Sequence, residues 1–235
     1  MKGLELSVVI GASGIPLQFR VKRMVNGGYV GRDVRAVEAH IAELSREGVP
    51  APPSVPMVFP VLSHNITAAD RIEVIGNKTS GEAEFVLLLD ADDVFVGVGS
   101  DHTDRELERE SIVMSKQVCQ NVVSPQVWKY ADVEEGWDDL IIQSCVKPRG
   151  ADEWILYQKA PLGTIISAGD LMSLVKRAIK DGGTDGLIIF SGTVPILTRE
   201  MVFGSAFRAE LIDARRDRKL LCEYRVIVLD YLEGY

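Results

Sequence analysis

Residues 81–101 constrain the fold of this chain more than any other part of its sequence. They read GEAEFVLLLDADDVFVGVGSD, so two apolar runs flank the pair Ala91-Asp92. A two-residue hairpin turn at that pair places Glu82 directly opposite Asp101. Because side chains alternate between the two faces of a strand, Glu84 shares a face with Glu82. The pattern therefore predicts a hairpin that brings three carboxylates together.

The other face of this hairpin is apolar, because Phe85 pairs with Val98 and Leu87 pairs with Val96 in the same register. A slip of one residue would exchange the two faces, so the apolar pattern fixes the pairing. Opposed like charges destabilise a sheet, and a hard divalent cation is the simplest compensation for three clustered carboxylates. The acidic face thus indicates a metal site.

The alternative for the acidic face is a solvated surface, on which the acids need no ligand. We prefer that interpretation for Asp90, Asp92 and Asp93, because aspartate is a common turn residue. Gly97 and Gly99 lie on the acidic face, where glycine leaves space for a ligand or another backbone. For the other three acids, spacing alone leaves both interpretations open.

Composition limits the classes of partner and compartment. The 235 residues are 46% hydrophobic, which is enough for one good core, and we expect a single domain over residues 1–235. The formal net charge is -8, with 34 acidic against 26 basic residues, which argues against a nucleic-acid partner. Three scattered cysteines without CxxC spacing indicate a reducing compartment, and no apolar run approaches membrane-spanning length. We therefore expect a soluble cytoplasmic protein with no membrane partner.

Short apolar runs separated by turn residues predict many strands, and amphipathic runs predict few helices. Three predicted hairpins join residues 4–10 with 16–22, 140–146 with 154–159, and 206–213 with 220–229. The predicted helices span residues 33–47, 103–117 and 170–180. Strands and helices do not alternate regularly, which argues against a doubly wound sheet. The predicted fold class is α+β, with a β-rich core and a few flanking helices.

The helix at residues 33–47 carries a pair of titratable residues at the edge of its apolar stripe. His40 and Glu43 are three positions apart and therefore share a face. In one interpretation Glu43 orients and charges His40 as a general base. In the other they are a solvated edge pair.

Taken in order, four segments of this chain resemble conserved motifs of the fumarylacetoacetate hydrolase superfamily. The first is Gly31-Arg32 through His40-Ile-Ala-Glu43 with the Pro-rich run at 52–59, and the second is Ile72 through Glu82-Ala-Glu84. The third runs from Gly97 through Asp101, Arg105 and Glu108 to Lys116, and the fourth is Asp185 through Ser191-Gly-Thr-Val-Pro195. The resemblance spans about residues 31–230, while residues 1–30, an N-terminal hairpin, match no motif of the superfamily.

The resemblance implies a mixed β-sandwich or roll, a homodimer, and a role for each matched residue. Glu82, Glu84 and Asp101 would bind Mg²⁺ or Mn²⁺. Lys116 would be the catalytic lysine that reaches the bound substrate, and His40 with Glu43 would activate water. The implied substrate-binding residues are Thr193, Arg105 and Glu108, the last of which replaces the superfamily's usual glutamine.

These roles predict a metal-dependent hydrolase. Its substrate would be an acylpyruvate-like compound or 2,4-diketo acid, and its C–C bond would break by way of an enolate stabilised at the metal. The same site could serve a 2-oxo acid decarboxylase, hydratase, dehydratase or isomerase, since all pass through an enolate. Two further alternatives are a non-catalytic binding protein that retains the fold and a structural protein whose acidic face is solvated.

Overall fold

The computed structural model describes residues 4–11, 14–46, 51–52 and 54–232, although the side chains of Leu4, His40 and residues 43–46 lie outside the described part. The described part is rich in strands. They are β1 (Leu4–Ile10), β2 (Ile15–Val21), β3 (Arg23–Gly28), β4 (Met57–Val61), β5 (Ile66–Thr67), β6 (Arg71–Val74), β7 (Thr79–Ser80), β8 (Ala83–Asp90), β9 (Asp93–Asp101), β10 (Thr103–Asp104), β11 (Asn121–Val123), β12 (Gln126–Lys129), β13 (Ile141–Pro148), β14 (Ile155–Pro161), β15 (Leu187–Phe190), β16 (Gly204–Asp213) and β17 (Arg218–Val228). The α-helices are α1 (Val34–Arg46), α2 (Arg105–Glu108), α3 (Ile112–Ser115) and α4 (Ala168–Ala178).

Two large sheets of mixed direction form the body of the described chain. The ten-stranded sheet follows the order β2-β1-β12-β9-β8-β15-β3-β4, with β11 and β5 joined to it beside β9. The five-stranded sheet follows the order β14-β13-β16-β17-β6. Parallel pairs such as β15 with β3 occur beside antiparallel hairpins. This arrangement confirms the predicted β-rich α+β class and is not a doubly wound sheet.

The hairpin of β8 and β9 lies at the centre of the larger sheet in the predicted register. Phe85 faces Val98, and the turn consists of Ala91 and Asp92, with Ala91 at a φ of 50°. The amide of Asp101 donates to the carbonyl of Glu82 at 3.1 Å, so these two residues face each other as predicted.

Both faces of this hairpin are buried, which differs from a solvated acidic surface. Phe85 packs in the core cluster shared with the five-stranded sheet, whereas Leu88 packs in a second cluster with Phe190. The space over Gly99 is filled by protein, because a Cβ there would lie 2.5 Å from the carbonyl oxygen of Val122. Close approach of a neighbouring strand therefore explains this glycine.

One predicted helix is wrong, because residues 103–117 form two short helices instead of one. The carboxylate of Asp104 accepts from the amides that begin α2, and the hydroxyl of Ser111 accepts from the amide of Met114 at the start of α3. A second capping residue in the middle of the segment restarts the helix there. In contrast, α1 and α4 match their predictions within two residues.

Within the described residues, none of the helices has both the length and the apolar character needed to cross a membrane.

Candidate metal centre and its cavity

The three carboxylates predicted to meet do so at one end of the central hairpin. Ligand oxygens of Glu82, Glu84 and Asp101 all lie within 4.8 Å of one another. Glu84 and Asp101 are each 1% exposed, and the side chain of Glu82 is 19% exposed. Strand alternation puts the two glutamates on one face, and the hairpin register brings Asp101 to them.

Two buried cations lie against this carboxylate cluster. The Nζ atom of Lys116 is 2.7 Å from Glu82 Oε2, 2.7 Å from Asp101 Oδ2 and 3.9 Å from Glu108 Oε1. It also donates to the hydroxyl of Thr103 at 2.7 Å. Arg105 donates to Glu108 at 2.7 Å and lies 3.1 Å from Glu82 Oε1, so the two cations clamp Glu82 between them.

The electrostatic environment shifts the pKa values of the three carboxyl groups in different directions. Burial opposes ionisation of Glu82, but the charges of Arg105 and Lys116 outweigh it and lower its pKa to about 2. Burial and the neighbouring charges of Asp101 and Glu82 raise the pKa of Glu84 well above its usual range. Burial likewise raises the pKa of Asp101, although Lys116 opposes that shift. A divalent cation would relieve this repulsion.

One oxygen of Asp101 is a direct sign of incomplete bonding. Asp101 Oδ1 is buried and has no hydrogen-bond partner of normal distance and angle among the described residues, although the side chain of Asn26 is close enough to the Asp101 carboxylate to lower its pKa. Buried carboxylate oxygens normally accept hydrogen bonds or bind a cation. Oxygen ligands are also those that Mg²⁺ and Mn²⁺ prefer. The cluster thus fits a hard divalent ion by its donor set and by this unpartnered atom.

A backbone loop after β15 fixes the position of Glu84. The amide of Gly192 donates to Glu84 Oε2 at 2.8 Å. Gly192 has a φ of +87°, and a Cβ there would lie 2.7 Å from a methyl group of Val30. Both constraints require glycine, so the loop can bring its amide to the carboxylate.

The buried side-chain amide of Gln158 joins this loop to β8, the strand that carries Glu84. Its Nε2 donates to the hydroxyl of Thr193 at 2.7 Å and to the carbonyl of Val194 at 2.6 Å. Its Oε1 accepts from the amide of Ala83 at 3.0 Å and from Ser144 at 2.8 Å. The hydroxyl of Thr193 itself donates to the carbonyl of Ala83 at 2.9 Å. Thr193 is therefore held beside Glu84 by two protein contacts.

A neutral network lies immediately beyond the carboxylates. Tyr224 Oη is 2.8 Å from Ser100 Oγ and 2.8 Å from His102 Nδ1, and His102 Nε2 is 3.0 Å from Thr79 Oγ1. Ser100 in turn accepts from the amide of Glu82 at 3.2 Å. His102 is packed and buried, and burial lowers its pKa to about 3. It is therefore a neutral packing residue.

The carboxylate cluster opens into a cavity of about 590 Å³, a size typical of small-molecule sites. Its polar and charged lining comprises Asp33, Glu82, Glu84, Glu108, Lys116, Lys159, Thr164 and Thr193. Much of the remaining wall is apolar and includes Val30, Val37, Phe59, Ile112, Ile165 and Leu197. The first turn of α1 contributes Ala36 and Val37, so this helix covers part of the cavity.

The structure brings most of the predicted site residues together. One cavity is lined by Glu82, Glu84, Glu108, Lys116 and Thr193. Asp101 forms an ion pair with Lys116, and Arg105 forms one with Glu82. The side chains of His40 and Glu43 lie outside the described residues, and their predicted role stays a prediction.

Several residues that shape the site carry no recognisable sequence signal. Tyr29 lines the cavity at a φ of 56°, an uncommon conformation for a residue other than glycine. Lys159 and Gln158 lie on β14, which is far from the carboxylates in sequence.

Comparison with known proteins places the chain in a family. The family model described as "Protein of unknown function (DUF2848)" matches residues 27–224. The chain belongs to this family. No curated protein matches it by sequence.

Solved structures with the same fold include metal-bound enzymes. A fumarylpyruvate hydrolase from Pseudomonas aeruginosa, in complex with Mn²⁺ and pyruvate, has a TM-score of 0.59 at 17% identity, covering 95% of this chain and 96% of that chain. A 2-keto-3-deoxy-D-arabinonate dehydratase, complexed with magnesium and 2,5-dioxopentanoate, has a TM-score of 0.62 at 14% identity, covering 91% and 76%. At these identities the likeness shows the fold. It confirms the predicted fold class.

Proposed function

We propose that this protein is a Mg²⁺- or Mn²⁺-dependent hydrolase that cleaves a C–C bond in an acylpyruvate-like compound or 2,4-diketo acid. The observation that carries the proposal is the carboxylate triad, which adjoins buried Lys116 at a cavity of about 590 Å³. The metal and pyruvate bound by the Pseudomonas hydrolase, which shares the fold, support the same chemistry.

Glu82, Glu84 and Asp101 are the proposed metal ligands. When bound, a divalent ion supplies Lewis-acid polarisation of a 2-oxo acid. Arg105 and Lys116 keep Glu82 ionised, which maintains one negative ligand at low pH. The amide of Gly192 orients Glu84 from the other side.

Lys116 is the proposed electrostatic catalyst. It lines the cavity, and its side chain is only 5% exposed. Neighbouring carboxylates, Asp101 first, outweigh the effect of burial and raise its pKa, so the ammonium stays charged. A fixed positive charge in a poorly hydrated site stabilises negative charge that develops on a substrate oxygen.

Arg105, Glu108 and Thr193 are proposed to assist substrate binding. Glu108 and Thr193 line the cavity directly, whereas Arg105 is 9% exposed and acts on the site through its contacts with Glu82 and Glu108. Their positions are consistent with holding the polar end of a substrate.

His40 and Glu43 are the proposed general base and its orienting partner. A base that takes a proton from water would let the hydroxide add to the distal carbonyl carbon. The C–C bond to the adjacent methylene then breaks. The hydroxyl oxygen ends in the released carboxylic acid, and the proton ends on the methyl group of pyruvate. Hydrolysis consumes one water and needs no oxidant or reductant.

The test is pyruvate release from succinylpyruvate and butanoylpyruvate by the purified protein with Mg²⁺ or Mn²⁺. We expect turnover that EDTA abolishes and added metal restores. Lys116→Ala should lose at least a hundredfold in kcat/KM, in line with loss of an oxyanion-stabilising group. Lys129→Ala, an exposed strand lysine outside the cavity, is the matched control. Full activity in EDTA would refute the metal, and full activity of Lys116→Ala would refute the role of that lysine.

Other reactions on the same site have distinct products. The dehydratase that shares this fold makes dehydration of a 2-oxo acid the second candidate. Conversion of a hydroxylated 2-oxo acid to a product lighter by one water, measured by mass spectrometry, would favour it, and CO₂ release would favour a decarboxylase. Metal-dependent binding of a 2-oxo acid without turnover of any substrate would favour a binding protein.

The catalytic unit in this proposal is the whole of residues 1–235 as one domain. A cytoplasmic location and assembly as a homodimer stay predictions, the second of which sedimentation velocity would test.

A further inference from the structure

Two buried asparagines from different strands lie beside Asp101. Asn26 on β3 and Asn121 on β11 are both completely buried. Asn121 is the antiparallel partner of Asp101, so these two side chains point to the same face of the sheet. Asn121 Nδ2 donates to Asn26 Oδ1 at 3.4 Å. Three side chains from three strands therefore form one buried polar cluster next to the proposed metal site.

The hydrogen bond from Asn121 determines which end of the Asn26 amide is left for Asp101. A side-chain amide has one oxygen, which accepts, and one NH₂ group, which donates. The oxygen of Asn26 accepts from Asn121, which leaves Nδ2 as the free end. Burial raises the pKa of Asp101, and both Lys116 and a hydrogen bond from the side chain of Asn26 oppose that shift. Asn26 thus presents a donor to the carboxylate of Asp101.

The bonding within this cluster is too poor to explain it as a stabilising network. Asn26 Nδ2, Asp101 Oδ1 and Asn121 Oδ1 are buried and have no hydrogen-bond partner of normal distance and angle in the part of the chain that the structure describes. The bond between the two amides is long at 3.4 Å, whereas Tyr224 contacts its partners at 2.8 Å. A buried amide that is incompletely bonded destabilises the fold, and an apolar side chain would avoid that cost. The contact with Asp101 therefore explains the two asparagines better than fold stability does.

This contact controls the one oxygen of Asp101 that Lys116 does not hold. Lys116 lies 2.7 Å from Asp101 Oδ2. A carboxylate oxygen has two lone pairs, so Oδ1 can accept from Asn26 and also bind a cation. With a donor at each oxygen, the carboxylate has fewer orientations to lose when a metal binds. Partners of this kind orient metal ligands in many metalloproteins.

We propose that Asn26, oriented by Asn121, is a positioning residue that holds the Asp101 carboxylate for the metal. This inference rests on the proposed function, because it takes Glu82, Glu84 and Asp101 as ligands of a divalent ion. Asn26 acts through Asp101, and its contribution is to metal affinity.

Binding of Mn²⁺ alone tests this role without turnover, and electron paramagnetic resonance measures it as loss of the free-ion signal. Asn26→Leu keeps the branched shape of the side chain and removes the donor, so the Kd for Mn²⁺ should rise about 10- to 100-fold. Asn121→Ala should raise the Kd less, because it removes only the orientation of Asn26. The double variant should bind no more weakly than Asn26→Leu, since Asn121 acts through Asn26. Asn26→Ala replaces Asn26→Leu if the larger side chain prevents folding.

Ser124→Ala is the matched control for the loss of a buried polar group. Ser124 is completely buried close to Asn121 in sequence, and its hydroxyl accepts from the amide of Val98 and donates to the carbonyl of Gln126. The control should lose stability in urea denaturation and leave the Kd for Mn²⁺ unchanged. An unchanged Kd in Asn26→Leu, or an equal rise in Ser124→Ala, would overturn the proposal.

Pyruvate release from succinylpyruvate and butanoylpyruvate separates this proposal from the proposed function. Hydrolysis by the wild type, with a Kd for Mn²⁺ that Asn26→Leu does not change, overturns the role of Asn26 and leaves the hydrolase intact. Mn²⁺ binding that depends on Asn26, without hydrolysis of either compound, supports the role of Asn26 and refutes the hydrolase. Absence of Mn²⁺ binding by the wild type would overturn both.

Discussion

Two polar clusters meet along β9 and its continuation, and they are built in opposite ways. Asp101 points to the carboxylate cluster, where like charges are crowded and one oxygen lacks a partner. Ser100 and His102 point to the neutral network, where Tyr224 and Thr79 satisfy them. All of these residues are nearly completely buried, so burial alone does not distinguish the clusters.

The difference between the clusters is the difference between a proposed metal site and a network that stabilises the fold. Buried polar groups that are fully hydrogen-bonded specify a rigid core. Buried carboxylates that repel each other destabilise the metal-free protein unless something else compensates them. Because side chains alternate between the two faces of a strand, the neighbouring residues Ser100 and Asp101 belong to different clusters. The neutral network contacts the carboxylate cluster where the hydroxyl of Ser100 accepts a hydrogen bond from the amide of Glu82.

The substitution Glu84→Gln, in the carboxylate cluster, should have the largest effect on activity. It removes one proposed metal ligand and keeps an oxygen for the amide of Gly192, so activity should fall at least a thousandfold. The raised pKa of Glu84 means that its charge destabilises the folded state at pH 7. The free energy of unfolding in EDTA should therefore rise. Urea denaturation checks this, with exposed Glu73→Gln as the control, and a less stable variant would contradict it.

The substitution Tyr224→Phe should act in the opposite direction on stability. It removes the hydroxyl that contacts Ser100 and His102 and leaves buried polar atoms unpaired. The free energy of unfolding should fall by about 1–3 kcal/mol. Tyr231→Phe is the matched control, because Tyr231 is 76% exposed. Equal stability of the two variants in urea denaturation would show that the network does not stabilise the fold.

A third expected effect is a pH dependence of stability that arises from His102. Its pKa is about 3 in the folded protein, against 6.5 for the free side chain, because of burial. Above pH 6.5 it is neutral in both states and contributes nothing. Between those values the unfolded chain takes up a proton that the folded chain does not, so stability falls as pH falls. The limit is about 1.4 kcal/mol per pH unit.

Urea denaturation in EDTA at several pH values from 6 down to 4, with His102→Gln as the comparison, tests this dependence. The wild type should lose stability more steeply than the variant. Parallel slopes would mean that His102 is protonated in the folded state.

The sequence predicted some parts of the site and not others. The register of the hairpin followed from the alternation of apolar and acidic residues, because only one pairing buries a continuous apolar face. Lys116 and Arg105 came from the family resemblance, since no local pattern joins them to Glu82. The network around Tyr224 was not predicted, because its members come from strands that only tertiary folding brings together. The split of residues 103–117 into two helices was missed because the capping role of Ser111 was not recognised.

By itself, the sequence determined that three carboxylates share one face and that the chain is rich in strands, because strand periodicity and hydrophobic burial are local rules. Tertiary structure alone decided that this face is buried and that Lys116 and Arg105 neutralise Glu82. It also decided that Asn26 and Asn121, from two other strands, lie beside the carboxylate of Asp101. Charges far apart in sequence interact only after packing has brought them together and removed water, so their energies cannot be obtained from spacing.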